Sequence, residues 1–348
     1  MDNRTLKKIA AAGVFLLGLA LSGQSMAQQF SYLDPAYAQD TYTASIPTGW
    51  GPGYGWTSAG NMVLHGQGFM YEYSLTDTST VNGTPVHSIV ATHNLGIGST
   101  YGMTTGLDGT FYVQGAVGLY SVNPVTWAAT LLPGTSGGYY GIGTLPDGRI
   151  VYADSGNVIR TYNPTNGSNA VLYSAGTFID GITVSPTGEV FLAALGAVND
   201  VIVISSTGAL VNTFSTVHSP DGMAFGGGAA FGNNTDGTVT RLTFAGAGYT
   251  GAVTETVIAS SNNGSYGDLA AVGPDGSFYV SQWYDVRWDN GLVTSGNVIV
   301  RLSLVGGGGF EPPPGTAGGG TDVPEPATLG LLGLGLAGLT WTRRRKAG

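Results

Sequence analysis

A phrase of about forty residues recurs along the middle of the chain, and few folds accommodate such a period. Each copy sets a Gly or Asp before an apolar pair, then a Pro/Asp-Gly turn, then an aromatic-rich strand. It reads Tyr101-Gly102-Met103, Asp108-Gly109, Phe111-Tyr112-Val113; then Tyr140-Gly141-Ile142, Pro146-Asp147-Gly148, Ile150-Val151-Tyr152. It returns as Asp180-Gly181-Ile182, Pro186-Thr187-Gly188, Val190-Phe191-Leu192, and more loosely as Asp221-Gly222-Met223, Gly226-Gly227-Gly228, Ala230-Phe231. The last copy is Asp268-Leu269-Ala270, Pro274-Asp275-Gly276, Phe278-Tyr279-Val280, and a degenerate first one lies at Trp56, Gly60 and Met62-Val63-Leu64. The turn glycines at 60, 109, 148, 188, 228 and 276 are separated by 49, 39, 40, 40 and 48 residues.

Each phrase reads as a hairpin, because Asp-Gly supplies the positive φ that tight strand connections need. A third strand follows in several copies, at Val158-Ile159-Arg160, Val239-Thr240-Arg241 and Val298-Ile299-Val300-Arg301, and Asn163-Pro164-Thr165-Asn166-Gly167 turns the chain toward a fourth. Four short strands per forty residues predict a β-propeller blade. Six units predict an all-β, six-bladed β-propeller, with residues 37–46 able to close the last blade. A β-helix or sandwich is the structural rival, with shorter or absent repeats; a seventh blade would need a hidden unit within residues 71–99 or 290–310. No stretch of the body keeps a helical period, which disfavours parallel βαβ folds.

The two ends have a different character. Arg4, Lys7 and Lys8 precede an apolar run over residues 9–22, then Ser25-Met26-Ala27, a small-x-small triplet of the kind signal peptidase cuts. Fourteen helical residues reach only about 21 Å, short of a bilayer core, so the expectation is a cleaved signal ending at Ala27. At the other end a Gly/Pro-rich stretch gives way to Val323-Pro324-Glu325-Pro326. A short apolar segment over residues 327–341 and the cluster Arg343-Arg344-Arg345-Lys346 follow. Positive charge stays cytoplasmic, which would leave the body outside the cytoplasm. The parts read as signal peptide 1–27, body 28–305, linker 306–322 and tail 323–348.

That ordered tail resembles the PEP-CTERM sorting signal. The resemblance implies a Gram-negative host whose exosortase cleaves near Pro324-Glu325-Pro326 and releases or attaches the protein at the surface, commonly beside an exopolysaccharide matrix. It implies nothing about the chemistry of the body.

Composition narrows that chemistry. With no cysteine, disulfides, thiolate zinc sites and Cys nucleophiles are excluded. Lys and Arg number 12 against 21 Asp and Glu, and between the ends only Arg149, Arg160, Arg241, Arg287 and Arg301 are basic. So acidic a body repels phosphate backbones, and nucleic acid is not expected as a partner. The membrane is expected to be touched only through the tail.

In a propeller the first strand of each blade lines the central channel, so the residue eight before each turn glycine should recur at one mouth. Those residues are Tyr101, Tyr140, Asp180 and Asp268, with Asp221 joining if its poly-Gly turn is one residue shorter. Gathered carboxylates repel, and either one holds a proton or a cation neutralises them. Hard oxygen donors suit Ca²⁺, so Asp180, Asp221 and Asp268 form the candidate metal site. Alternatively these aspartates simply cap turns. Asp180-Gly181-Ile182-Thr183-Val184-Ser185-Pro186 and Pro220-Asp221-Gly222-Met223-Ala224-Phe225 resemble inner strands of the gluconolactonase/regucalcin and NHL-type propellers. The lactonase resemblance implies a divalent metal on an Asp matching Asp221, with Asp180 where an Asn would stand. The family's first-blade Glu has no counterpart, Pro52 standing at its place, and no sugar-acid-gripping Arg is identifiable.

Other signals carry less. Gly134-Thr135-Ser136-Gly137-Gly138 fits a Gly-x-Ser-x-Gly pattern without the strand-to-helix elbow that pattern needs. His65, His87, His93 and His218 show no ligand spacing. Tyr139, Tyr140, Trp283, Tyr284 and Trp288 could form a sugar-stacking platform or fill blade interfaces. The expectation is a non-enzymatic surface propeller binding an extracellular polysaccharide or surface protein, with a Ca²⁺-dependent lactonase-like hydrolase as the alternative and a structural spacer as a third. If Pro324-Glu325-Pro326 is the sorting box, Glu325→Ala leaves full-length protein accumulating in the inner membrane of an exosortase-bearing host. Mass spectrometry of the surface fraction checks this, and intact residues 343–348 on mature wild-type surface protein would refute it.

Overall fold

The structure, a computed structural model, describes residues 30–43, 53–81, 84–138, 140–154, 157–196, 200–261, 266–283, 286–287, 293–294, 298–307, 309–312 and 314. The expected cleavage point and sorting tail lie outside these residues. Six antiparallel sheets of four blade strands each follow one another along the chain. The innermost strands are Tyr54–Trp56, Thr100–Thr105, Ile142–Thr144, Ile182–Val184, Pro220–Gly226 and Tyr266–Val272, opening blades one to six in that order. In blade three, for instance, Ile150–Asp154, Val158–Tyr162 and Asn169–Ser174 follow as second, third and fourth strands. The six-bladed propeller expected from the repeat is the fold observed.

The last blade is completed from the start of the chain. Tyr37–Thr43 pairs antiparallel with Val298–Leu304, and the sheet order runs from it through Val298–Leu304 and Phe278–Trp283 to Tyr266–Val272. Asp40 faces Arg301 across this pair, and the Arg301 guanidinium donates to the Asp40 carboxylate at 2.7 and 3.0 Å. Tyr42, fully buried, stacks on His87 of blade one at 3.9 Å and meets Tyr279 edge-on. Among the described residues, the long stretches after blade one's second strand and within blade six supply no seventh blade. They form an extended hairpin, Phe69–Val81 with Thr84–Asn94, and a small one, Val286–Arg287 with Val293–Thr294.

Middle strands read as continuous apolar runs because neighbouring blades cover both of their faces. Val190–Ala193 and Val201–Ile204 are buried at every position. Each blade interface has its own apolar cluster. Val151 and Ile159 of blade three meet Leu192 and Ile202 of blade four. Phe191 and Val203 on the other side of blade four meet Phe225 and Leu242 of blade five. One boundary differs from the expectation: Phe310, placed in the linker by sequence, belongs to the cluster of Phe231, Phe278 and Val300. A single large aromatic in a glycine-rich run is drawn into the core by the surface it buries, worth about 1.5–3 kcal/mol.

Connections between first and second strands, and between third and fourth, lie on one side of the disc, called here the turn face. The opposite mouth face carries the connections from one blade to the next. Asp108, Asp147 and Asp275 build the turn face locally, each accepting the N–H two residues on.

Around the channel the innermost strands approach too closely for side chains. A Cβ on Gly102 would lie 1.8 Å from the Tyr140 carbonyl oxygen, one on Gly222 2.2 Å from that of Asp268, and one on Gly181 2.6 Å from that of Asp221. Gly102→Ala is therefore expected to destabilise by at least about 3 kcal/mol, since backbone rather than a flexible side chain must move. Ala at Gly109, where φ is +83° with open space around it, should cost only about 1 kcal/mol. Calorimetry on the two variants separates steric closure of the ring from backbone strain.

Candidate binding mouth of the central channel

The channel runs between the innermost strands and is lined by Tyr54, Trp56, Met103, Thr104, Thr144, Ile182, Thr183 and Met223 among others, enclosing about 680 Å³ including its open ends. A hydroxyl pair, Thr104 and Thr144 at 3.1 Å, crosses from blade two to blade three. The residue before each crossing glycine sits at the entrance on the mouth face, as the register implies. Blade five has the shorter turn that brings Asp221 into line: Gly226 pairs with Ala229 across Gly227 and Gly228, both at positive φ. Pro52 lies outside the described residues.

Asp180 and Asp221 are brought together. Their side chains hydrogen-bond to each other, and each keeps one Oδ1 buried without a partner. Burial first, and then the neighbouring Asp180, push the Asp221 carboxyl up to about 9. Asp180 is also raised, by burial and by the charge of Asp268. The hydrogen bond between them needs a proton on one carboxyl and favours that proton on Asp221, whose pKa it raises while lowering that of Asp180. Turn capping does not account for these two oxygens. Asp268 behaves differently, its Oδ1 accepting the N–H of Leu269 at 2.9 Å. Among the described residues no three His, Asp or Glu side chains assemble as a metal site.

Aromatic groups complete the mouth. Tyr140 packs edge-to-face on Tyr101, ring centroids 5.4 Å apart at 84°. Burial, and then the charges of Asp268 and Asp180, hold the Tyr140 phenol well above its ordinary range, so it remains a neutral donor. Tyr54, deeper in the channel, is raised by burial as well, which outweighs its hydrogen bond with Ser281.

A ring of buried polar groups around the mouth is not evident from residue type alone. Five residues after the turn glycine stand His65, Gln114, Ala153, Ala193, Asn233 and Ser281. His65 Nε2 accepts the Gly53 N–H at 2.8 Å, and its Nδ1 meets Thr100 of blade two at 3.0 Å. Burial holds His65 down to about 3, so it stays uncharged. Gln114 donates to the Gly141 carbonyl of blade three, and Asn233 to those of Asp268 and Ser281 in blade six. These side chains tie one blade's second strand to the next blade's innermost strand. Where alanine replaces them, at 153 and 193, the next blade's mouth residue is Asp180 or Asp221. The signal available in sequence was a polar residue at a fixed offset within an apolar strand.

The other candidates play structural parts. Ser136 donates to Asp154, which also holds Arg160. His93 stacks on Trp127 at 3.7 Å, and His218 pairs with Asp236. Tyr139, Tyr284 and Trp288 lie outside the described residues.

Residues 322–346 match the PEP-CTERM protein-sorting motif. The tail is a PEP-CTERM tail. The body is similar in structure to a calcium-binding protein, regucalcin, from Agrobacterium tumefaciens (TM-score 0.55, 15% identity, covering 80% of this chain and 97% of that one). A gluconolactonase from Xanthomonas campestris superposes with TM-score 0.54 at 13% identity over 80% of this chain and 95% of its own. A streptogramin B lyase gives 0.52 at 15% over 77% and 98%. Such identities establish the shared propeller fold. No curated protein matches the chain by sequence.

The shared proton sets the pH response. A carboxyl whose folded pKa is raised stabilises fully below its unfolded value, near 4, and that contribution is lost as pH rises toward the folded value near 9. Wild-type stability should fall across that window. Asp221→Asn should flatten the fall and raise stability at pH 8 by about 1 kcal/mol, roughly 2–4 °C in Tm. Scanning calorimetry at pH 5 and pH 8 checks both; a variant less stable than wild type at pH 8 would contradict the assignment.

Proposed function

We propose that this PEP-CTERM protein is an exported propeller displayed at the cell surface or in its matrix, binding an extracellular glycan or protein segment at the tyrosine–aspartate mouth. The observation that carries this reading is the Asp180–Asp221 pair beside Tyr101 and Tyr140. One acid proton, several acceptor oxygens and half-buried tyrosine rings suit a hydroxyl-rich ligand, whose vicinal hydroxyls donate and accept while its C–H faces stack. Signal peptidase and exosortase are the processing partners that the two ends imply.

The unpartnered Oδ1 atoms of Asp180 and Asp221 favour a second reading, in which a hard cation takes the proton's place. Their donor chemistry fits Ca²⁺, and the fold likeness to regucalcin and gluconolactonase gives that reading a precedent. Asp180 and Asp221 would hold the ion, and the ion would supply Lewis acidity toward a bound lactone carbonyl. Tyr140 would orient the substrate ring.

Glycan-array binding by the intact protein, with and without chelator, separates the two. The binding reading expects chelator-insensitive hits that weaken at least about tenfold in Tyr140→Ala and in Asp180→Asn, each buried polar or aromatic contact contributing about 1–2 kcal/mol. The metal reading expects Ca²⁺ to raise Tm by roughly 3–5 °C at a hundredfold excess over Kd. It also expects gluconolactone hydrolysis that Asp221→Asn abolishes. Absence of hits with no calcium shift would sink both.

A further inference from the structure

The chain leaves the last blade on the turn face but does not leave the body there. Phe310 is buried to 6% exposure, and its N–H donates to the Gly276 carbonyl at 2.8 Å. Its ring meets Phe231 edge-on at 5.0 Å and stacks near Tyr37 at 6.3 Å. The crossing is built for close contact. A Cβ on Gly226 would lie 2.7 Å from the Phe310 Cβ, and one on Gly276 would lie 2.5 Å from the Gly309 Cα. Gly226 and Gly276 both belong to first-to-second-strand turns, of blades five and six. Four residues beyond Phe310, Pro314 lies among the groups lining the channel.

We infer that the segment from Gly309 to Pro314 is a latch that brings the sorting tail out along the propeller axis through the turn face, so that a propeller held by its tail presents the Tyr101, Tyr140, Asp180 and Asp221 mouth away from the membrane. The inference rests on the sorting-tail assignment, not on the nature of the ligand. From Pro314 to Ala327, where the apolar segment begins, there are thirteen residues, spanning at most about 44 Å when fully extended. Four strands about 4.8 Å apart set the rim roughly 14 Å outside the innermost strand, and a seven-residue strand makes a wall about 23 Å tall. A path from the innermost strand, out to the rim and up that wall takes about 37 Å before the channel radius is added, nearly the whole tether at full extension. Turning the mouth face to the membrane while the latch holds therefore demands a tether stretched almost straight, which a flexible Gly/Pro-rich chain resists. Released at the end of Val298–Leu304, the tether lengthens to twenty-three residues, about 78 Å, and the restriction disappears.

The absence of cysteine permits a direct test. Val125, in a third-to-fourth-strand turn on the turn face, and Val217, in a connection on the mouth face, are 83% and 87% exposed. Val125→Cys and Val217→Cys thus report opposite faces with matched chemistry. Full-length protein is reconstituted in liposomes through its tail, and the membrane-bound fraction is treated with a bulky maleimide-polyethylene glycol. The two cysteines should react alike in detergent, whereas on the membrane Val125→Cys should slow about fivefold relative to Val217→Cys, the short tether shielding its face. Phe310→Ala should remove the difference. So should a twenty-residue Gly/Ser insertion between Gly318 and Gly319, which leaves the folded body intact. Equal labelling in the parent protein on liposomes overturns the inference. So does a difference that survives either the longer linker or a folded Phe310→Ala protein. Labelling involves no ligand, so failure here leaves the binding reading standing.

Discussion

The closeness of the innermost strands is the constraint from which the rest of the molecule follows. Gly53, Gly102, Gly141, Gly181 and Gly222 each stand where a side-chain carbon would strike the next blade, at 1.8–2.7 Å. Bare backbone at these points lets six short sheets close into a narrow ring. Blade six breaks the pattern with Leu269, which instead packs beside Tyr54 and Trp56 of blade one. Because the glycine makes the contact, the residue before it is carried to the mouth. One steric requirement thereby closes the ring and gathers Tyr101, Tyr140, Asp180 and Asp221 at its entrance.

Electrostatics explain why the mouth holds a proton. Three arginines of the body are engaged elsewhere: Arg149 with Asp147, Arg160 with Asp154, and Arg301 with Asp40 and Asp275. None of these partly buried pairs engages Asp180 or Asp221. Two carboxyls confined together in a poorly solvated site cannot both ionise cheaply. Neutral tyrosine hydroxyls and a carboxylic acid proton then make the mouth a donor surface despite the acidity of the chain.

The ring was legible in sequence because its signals are local. Asp-Gly turns, the forty-residue period and alternating apolar residues each act within a few positions. The closing strand could be anticipated as well, since six incomplete units leave one edge to fill. The juxtaposition of Asp180 and Asp221 followed from register alone. Other features depend on contacts between distant residues and left no local trace. His65 looked like an isolated histidine, yet it bonds Gly53 and Thr100. Asp268 matched its neighbours in register, but its Oδ1 turns to its own chain at Leu269. Phe310 sat in an apparently unstructured spacer, and only the groove between Gly226 and Gly276 explains why it is ordered.

The closing strand has a consequence for the order of events during secretion. Tyr37–Thr43 and its partner Val298–Leu304 are joined by pairings such as Asp40 to Arg301, 261 residues apart. A chain threaded outward from its beginning delivers Tyr37–Thr43 first and its partner almost last. Until then the early strand has no mate, and blade six has no outer edge. Non-local pairing of this kind is slow, and an unpaired edge strand is a template for association with other chains. The sorting tail lies beyond that partner in the chain, so the strand that closes the ring is delivered before the sequence that sorts the protein.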